Sequence, residues 1–138
     1  MSAKPSILFV CLHGSAKSLI AAYHMKRLAT ERGIEMMSES AGVEPDDVVP
    51  PHVVAGLADD GIDVTMVRPK SVTSDLMKHA SHIVSFGCDL SAFGVASGDV
   101  TLWKGVPDVS DGYQDARSDI VARVEALLKE VLAKPVFE

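Results

Sequence analysis

Residues Ile7 to Val10, Ile-Leu-Phe-Val, are apolar without alternation. A strand with one wet face alternates polar and apolar side chains. An unbroken run of this length fits instead a strand covered on both faces, the setting of a parallel sheet between helical layers. The rest of the chain supplies the partners for such a sheet. Met36 to Ala41, His82 to Phe86 and Val100 to Trp103 read as three further strands. Between them lie a helix running from Leu19 through Leu28 to its stop at Gly33, a short helix from His52 to Ala58 closed near Gly61, and a brief one capped at Thr73-Ser74-Asp75 and ending at His79. Ile120, Val121, Val124, Leu127, Leu128, Val131 and Leu132 mark an amphipathic last helix, with Pro135 as its limit.

Strands alternating with helices indicate a four-stranded parallel α/β sheet with right-handed crossovers, built by one domain over residues 1–138. Glu44 to Pro51, acidic and holding three prolines, reads as a surface loop. In sheets of this kind the functional crevice lies at the carboxyl ends of the strands, which is where Cys11, Cys88 and the loop after Trp103 would sit.

Directly after the first strand comes Cys11-Leu12-His13-Gly14-Ser15-Ala16-Lys17-Ser18. This stretch gathers a nucleophile, a small-residue loop, a cation and a helix start within one turn of chain. Loop N–H groups and the positive end of the following helix favour a thiolate at such a position, and draw an anion to the same point. Cys11 would attack, and the N–H groups from Leu12 to Ser18 would wrap the oxyanion. Gly14, Ser15 and Ala16 are small enough for close approach, Lys17 adds charge, and Ser18 can hydrogen-bond the sulfur while opening the helix. The competing reading is a small buried cysteine at a strand end. Gly14-Ser-Ala-Lys17-Ser18 also partly imitates a nucleotide-binding P-loop, although Cys11 and Ala16 occupy its two glycine positions.

The loop resembles the Cys-x5-Arg-Ser signature of low-molecular-weight protein tyrosine phosphatases and the related thioredoxin-coupled arsenate reductases. Other segments are similar to the same family in order along the chain: Ser40-Ala41-Gly42, Gly61-Ile62-Asp63, Lys70-Ser71, Ile83 to Asp89, and Trp103-Lys-Gly-Val-Pro-Asp108. The resemblance covers about residues 6 to 133 and implies the family's Rossmann-like sheet. It implies that Asp108 is the general acid and base, and that the partner is a phosphorylated substrate or a small oxyanion such as phosphate or arsenate. Neither a metal nor an organic cofactor is required by it.

The chain departs from the pattern at identifiable positions. Lys17 stands where the family has arginine, and a compact ammonium lacks the planar fork that grips two oxygens. His13 and Gly14 replace a glycine and a loop-bracing asparagine, and Val109 replaces a proline. Cys88 matches the first of two relay cysteines in the reductase branch, whereas Val95 stands where the second is expected, so arsenate reduction would need an external thiol. A catalytically weakened oxyanion sensor is the third reading of these departures.

Composition limits the partners. Thirteen basic against nineteen acidic residues give a formal charge of −6, which argues against non-specific nucleic-acid binding and polybasic membrane contact. Ile7 to Leu12 is too short for a signal-peptide core and no stretch is long enough to span a membrane. Two cysteines are too few for a disulfide framework, so the expected setting is cytoplasmic and reducing.

Overall fold

A computed structural model describes residues 4–93 and 100–133. The elements follow in the order β1 (Ser6–Cys11), α1 (Lys17–Glu31), β2 (Met37–Gly42), α2 (Pro51–Asp59), α3 (Ser74–His79), β3 (His82–Ser85), a single 3-10 turn (Ser91–Phe93), β4 (Val100–Leu102) and α4 (Tyr113–Ala133). The four strands form one sheet in the order β2-β1-β3-β4, with every pair parallel. Val95 and Pro135 lie outside the described residues.

β1 is central and dry on both sides. Ile7 and Phe9 point into one apolar core with Ile20 and Met25 of α1, Leu57 of α2, and Ile120, Val124 and Leu128 of α4. Leu8 and Val10 point into a second core with Val72, Met77 of α3 and Ile83. The four β1 side chains are 0–2 % exposed. Burying an aliphatic or aromatic side chain of this size is worth about 1.5–3 kcal/mol, so this strand ties both layers together.

Some element ends differ from expectation, and others fall where the sequence places them. α2 opens at Pro51 rather than His52, because proline suits the first helical position, where no intrahelical donor is needed. α1 stops before Gly33, whose φ of +68° supports the reversal. Thr73 caps α3 through a 3.1 Å bond from the Leu76 N–H to Oγ1. α4 begins seven residues before its first apolar marker, at Tyr113. Its polar opening turns had masked it in the sequence.

The acidic segment after β2 is more than the surface loop the sequence suggested. The N–H groups of Val43, Glu44 and Asp46 donate to the carbonyls of Cys11, Leu12 and His13, at 3.2, 2.7 and 3.1 Å. Its Val49 is buried. The segment thereby laces the Cys11 loop to the sheet.

Candidate active site

Register decides which side chains can meet. Cys11 closes β1 opposite Gly42 of β2, and Val10 lies opposite Ser85 of β3. The loop after Cys11 therefore leaves the sheet between two neighbouring strand ends. Gly14 turns it back with φ +62°. A Cβ on Gly14 would fall 2.5 Å from the Gly42 nitrogen, and one on Gly42 would fall 2.6 Å from the Gly14 nitrogen. Only two glycines permit this backbone contact.

The turn brings the Gly14 N–H to 3.2 Å from Cys11 Sγ. Ser18, fully buried in the first turn of α1, places Oγ 2.9 Å from the same sulfur. Behind it, Ser40 Oγ lies 3.0 Å from Ser18 Oγ and donates to the Gly14 carbonyl at 3.3 Å. No side chain caps α1, whose N-cap is Ala16. Cys11 itself is a free thiol, 8 % exposed, in the wall of a cavity of about 340 Å³.

That cavity brings Cys11, Leu12, His13, Ser15, Ala16 and Lys17 together with Asp108, although more than ninety positions separate Cys11 from Asp108 in the chain. Lys17 Nζ is 3.1 Å from Asp108 Oδ1, with the lysine largely sheltered and the carboxylate exposed. Gly14 and Ser18 stand behind the cavity wall. Leu12 is half exposed at its mouth.

Several lining residues carried no signal of their own. Asp46 accepts a 2.6 Å hydrogen bond from Ser15 Oγ. Its other oxygen is 3.5 Å from His13 Nδ1, which also lies 3.1 Å from the Glu44 carbonyl oxygen. His13 Nδ1 thus faces the acidic segment. Pro50, His52, Phe86, Val109 and Ser110 complete the wall. Of the residues now seen around the loop, Ser40 and Gly42 lay within the Ser40-Ala41-Gly42 match and Phe86 within the Ile83 to Asp89 match; nothing in the sequence gave Asp46 a place here.

Ser18 bears on the nucleotide reading as well. Its hydroxyl is buried against Cys11 and Ser40, whereas a magnesium-binding hydroxyl must face the phosphates. Cys88 lies elsewhere, half-buried in the wall of a separate cavity of about 320 Å³ shared with Leu90, Val100 and Lys104. Burial pushes its thiol above the ordinary value and the nearby Cys11 adds to this, while a hydrogen bond with Ser85 opposes both. Among the described residues, no helix is long and apolar enough to cross a membrane.

The fold has close counterparts. A thioredoxin-dependent arsenate reductase from Corynebacterium glutamicum superposes with a TM-score of 0.81 at 25 % identity, over 96 % of this chain. This chain spans 65 % of that protein's length. A low molecular weight protein tyrosine phosphatase from Bacillus subtilis superposes with a TM-score of 0.82 at 22 % identity, over 94 % of this chain and 98 % of its own. In sequence, a Halobacterium salinarum protein named "Putative arsenate reductase" is 26 % identical over 129 residues, covering 88 % of this chain and 89 % of that one. Residues 6–89, from β1 to just past β3, match the family model for low molecular weight phosphotyrosine protein phosphatase. That stretch is well over half of the protein and includes the whole nucleophile loop, so the chain belongs to the low molecular weight phosphotyrosine protein phosphatase family.

Proposed function

We propose that this protein hydrolyses phosphate monoesters, aryl phosphates foremost, through a phosphocysteine on Cys11. One observation carries the reading: Cys11 Sγ lies within hydrogen-bonding distance of Ser18 Oγ and the Gly14 N–H, in the wall of a cavity that also presents Lys17 and Asp108. The Cys11 thiolate attacks phosphorus while the loop N–H groups from Leu12 to Ser18 and the Lys17 ammonium hold the equatorial oxygens. The P–O bond to the leaving group breaks as Asp108, protonated, passes its proton to the departing oxygen. In the second step the Asp108 carboxylate takes a proton from water, whose oxygen attacks phosphorus. The S–P bond breaks, and inorganic phosphate and the thiolate are released.

Arsenate reduction is the second reading, and identity at 25–26 % to proteins named as arsenate reductases favours it. Here the Cys11 thiolate would form an S–As bond while one As–O bond of arsenate breaks, the departing oxygen leaving as water on protonation, to give a thiol–arsenic(V) ester. An external thiol would then attack Cys11 sulfur, the S–As electron pair reducing arsenic(V) to arsenite. A second thiol would resolve the mixed disulfide and regenerate Cys11. Cys88 sits outside the Cys11 cavity, which suits a reductant arriving from solution. Both readings suit a reducing compartment, with both cysteines free.

The test is p-nitrophenyl phosphate turnover by wild type, Cys11→Ser and Asp108→Asn, run beside thiol consumption with and without arsenate. Phosphate release that vanishes with Cys11→Ser supports the hydrolase. Arsenate-dependent thiol oxidation without phosphate release replaces it with the reductase. Saturable phosphate binding with neither turnover overturns both in favour of an oxyanion-binding module.

A further inference from the structure

Two contacts one helical turn apart join α2 to α4. The ring of Tyr113, the first residue of α4, lies directly over Gly56, where a Cβ would fall 2.2 Å from Tyr113 Cζ and 2.4–2.5 Å from both Cε atoms. Four residues further along each element, Asp60 receives two hydrogen bonds from Arg117, from Nε at 2.7 Å and Nη2 at 2.9 Å. The pairs are i and i+4 on both sides, so they form one ridge against one groove.

The position of this clamp matters more than its strength. Gly56 is one turn beyond His52, and His52 and Pro50 line the catalytic cavity. Tyr113 ends the segment carrying Asp108, Val109 and Ser110, which form the facing wall. Inside that segment the bonds are short-range: Asp111 N–H to the Asp108 carbonyl at 3.1 Å and Gly112 N–H to the Val109 carbonyl at 3.3 Å. Trp103, Val106 and Val109 anchor it to the core, while the exposed Asp108 carboxylate is held across the cavity by its ion pair with Lys17.

The Tyr113 hydroxyl is buried, with no hydrogen-bond partner among the described residues. Burial, with Asp60 close by, pushes the phenol up to about 12, so it stays protonated at working pH and performs no acid–base step. What the residue contributes is its ring, and the notch at Gly56 is the space that admits it.

We propose that Tyr113, seated in the Gly56 notch, is a positioning residue that fixes the Asp108 segment across the cavity from Cys11. The inference rests on the reading of Asp108 as general acid, and is tested so that the two can fail separately. A displaced acid harms substrates whose leaving group needs a proton and spares those whose leaving group departs as a stable anion. Wild type, Tyr113→Phe, Tyr113→Leu, Tyr113→Ala and Asp108→Asn are compared on phenyl phosphate and 2,4-dinitrophenyl phosphate by kcat/KM, with thermal melting as the check on folding.

Tyr113→Leu and Tyr113→Ala are expected to lose about tenfold more on phenyl phosphate than on the dinitrophenyl ester, in the sense shown by Asp108→Asn. Tyr113→Phe should stay within about twofold of wild type on both, because it keeps the ring and removes only an unpartnered hydroxyl. Equal losses on the two esters would overturn the proposal. Amide hydrogen exchange supplies a readout independent of turnover. Residues 104–112 should exchange about tenfold faster in Tyr113→Leu while β1 is unaffected. Unchanged protection there overturns the proposal even if wild type hydrolyses nothing, in which case the phosphatase reading has failed on its own.

Discussion

Lys17 Nζ and Asp108 Oδ1 are 3.1 Å apart, so the ammonium of the Cys11 loop and the carboxylate across the cavity form a single ion pair. The carboxylate is 68 % exposed, and a pair at that depth adds little to folding stability. Its consequence is functional. A lysine can offer its charge to Asp108 or to a phosphoryl oxygen, whereas a guanidinium has enough donors in fixed geometry to serve two oxygens at once.

Lys17→Arg is therefore expected to raise kcat/KM for an aryl phosphate. The gain should be on the order of 100- to 1,000-fold if the fork recovers what one oxyanion donor is worth, about 2.7–4 kcal/mol. Lys17→Met should lower turnover and weaken phosphate binding together. Steady-state kinetics on p-nitrophenyl phosphate check both. An arginine variant no faster than wild type would show that lysine is not what limits this loop.

Ser18 and Ser40 form a buried pair of hydroxyls behind the sulfur. A hydrogen bond to a charged acceptor is worth roughly twice a neutral one, so Ser18→Ala removes support that the thiolate needs more than the thiol does. The expected outcome is a fall in kcat of about ten- to 100-fold with stability reduced by only about 1 kcal/mol. Pre-steady-state kinetics and urea unfolding separate the two effects. Slower alkylation of Cys11 by iodoacetamide should accompany the loss.

The sequence was legible wherever one segment carried its own pattern. Ile7 to Val10 announced a dry strand, Cys11 to Ser18 announced the loop, and Thr73 announced the start of α3. The parts that stayed hidden depend on register between distant segments. Ser40 reaches Ser18 because β2 pairs with β1 so that Phe9 meets Ser40 and Cys11 meets Gly42. Nothing local to Ser40 encodes that alignment. Asp46 read as one acid among several, and only the return of its segment over the loop makes it the acceptor for Ser15. Gly56 inside α2 carries no local signal of its own, since its purpose is visible only once the Tyr113 ring is above it. Asp108 was reached through the family resemblance alone, because an exposed aspartate after a proline has no distinguishing local feature.

Gly14 and Gly42 test the backbone contact that replaces a side-chain brace. Gly14→Ala must hold φ +62° and push a methyl against the Gly42 nitrogen at 2.5 Å. Positive φ costs about 1–3 kcal/mol for a non-glycine residue, and the steric overlap adds a similar amount. The variant should lose about 2–6 kcal/mol in urea unfolding and also lose turnover, because the Gly14 N–H moves off Cys11. Gly42→Ala should lose less, because it meets the same contact from the other side without the positive φ. A loss under about 0.5 kcal/mol in either would mean that the loop has room the geometry denies.

Cys88 supplies a contrast within the same molecule. It packs at the edge of the second core and lines a cavity apart from the one containing Cys11. Cys88→Ser should leave aryl phosphate hydrolysis within about twofold of wild type, since a near-isosteric substitution at a half-buried site outside the Cys11 cavity perturbs little. Arsenate-dependent oxidation of an added thiol, if the protein performs it, should also survive. Loss of that oxidation in Cys88→Ser, with phosphatase turnover intact, would place Cys88 in the electron path after all.

His24 gives the fold a pH dependence with a definite sign. It is buried on α1, with Nε2 3.4 Å from Asp60 Oδ2, and Arg117 and Arg27 are the other charges that bear on it. Burial lowers its pKa below the ordinary 6.5, and this outweighs the opposing pull of Asp60. The folded state thus keeps His24 neutral where the unfolded chain would take up a proton. Its contribution to stability is complete above pH 6.5, begins to fall as the pH drops through that value, and stops falling below the folded-state pKa. Asp60 acts in a different window. The Arg117 hydrogen bonds hold its pKa below 3.8, so the stability it contributes persists until strongly acid conditions and is lost only as pH falls through the folded value. Urea midpoints measured between pH 7.5 and 5 should therefore decline more steeply for wild type than for His24→Gln, which keeps a polar group beside Asp60 but cannot titrate. Parallel declines would mean that the proton enters the unfolded chain elsewhere and that His24 is already charged in the fold.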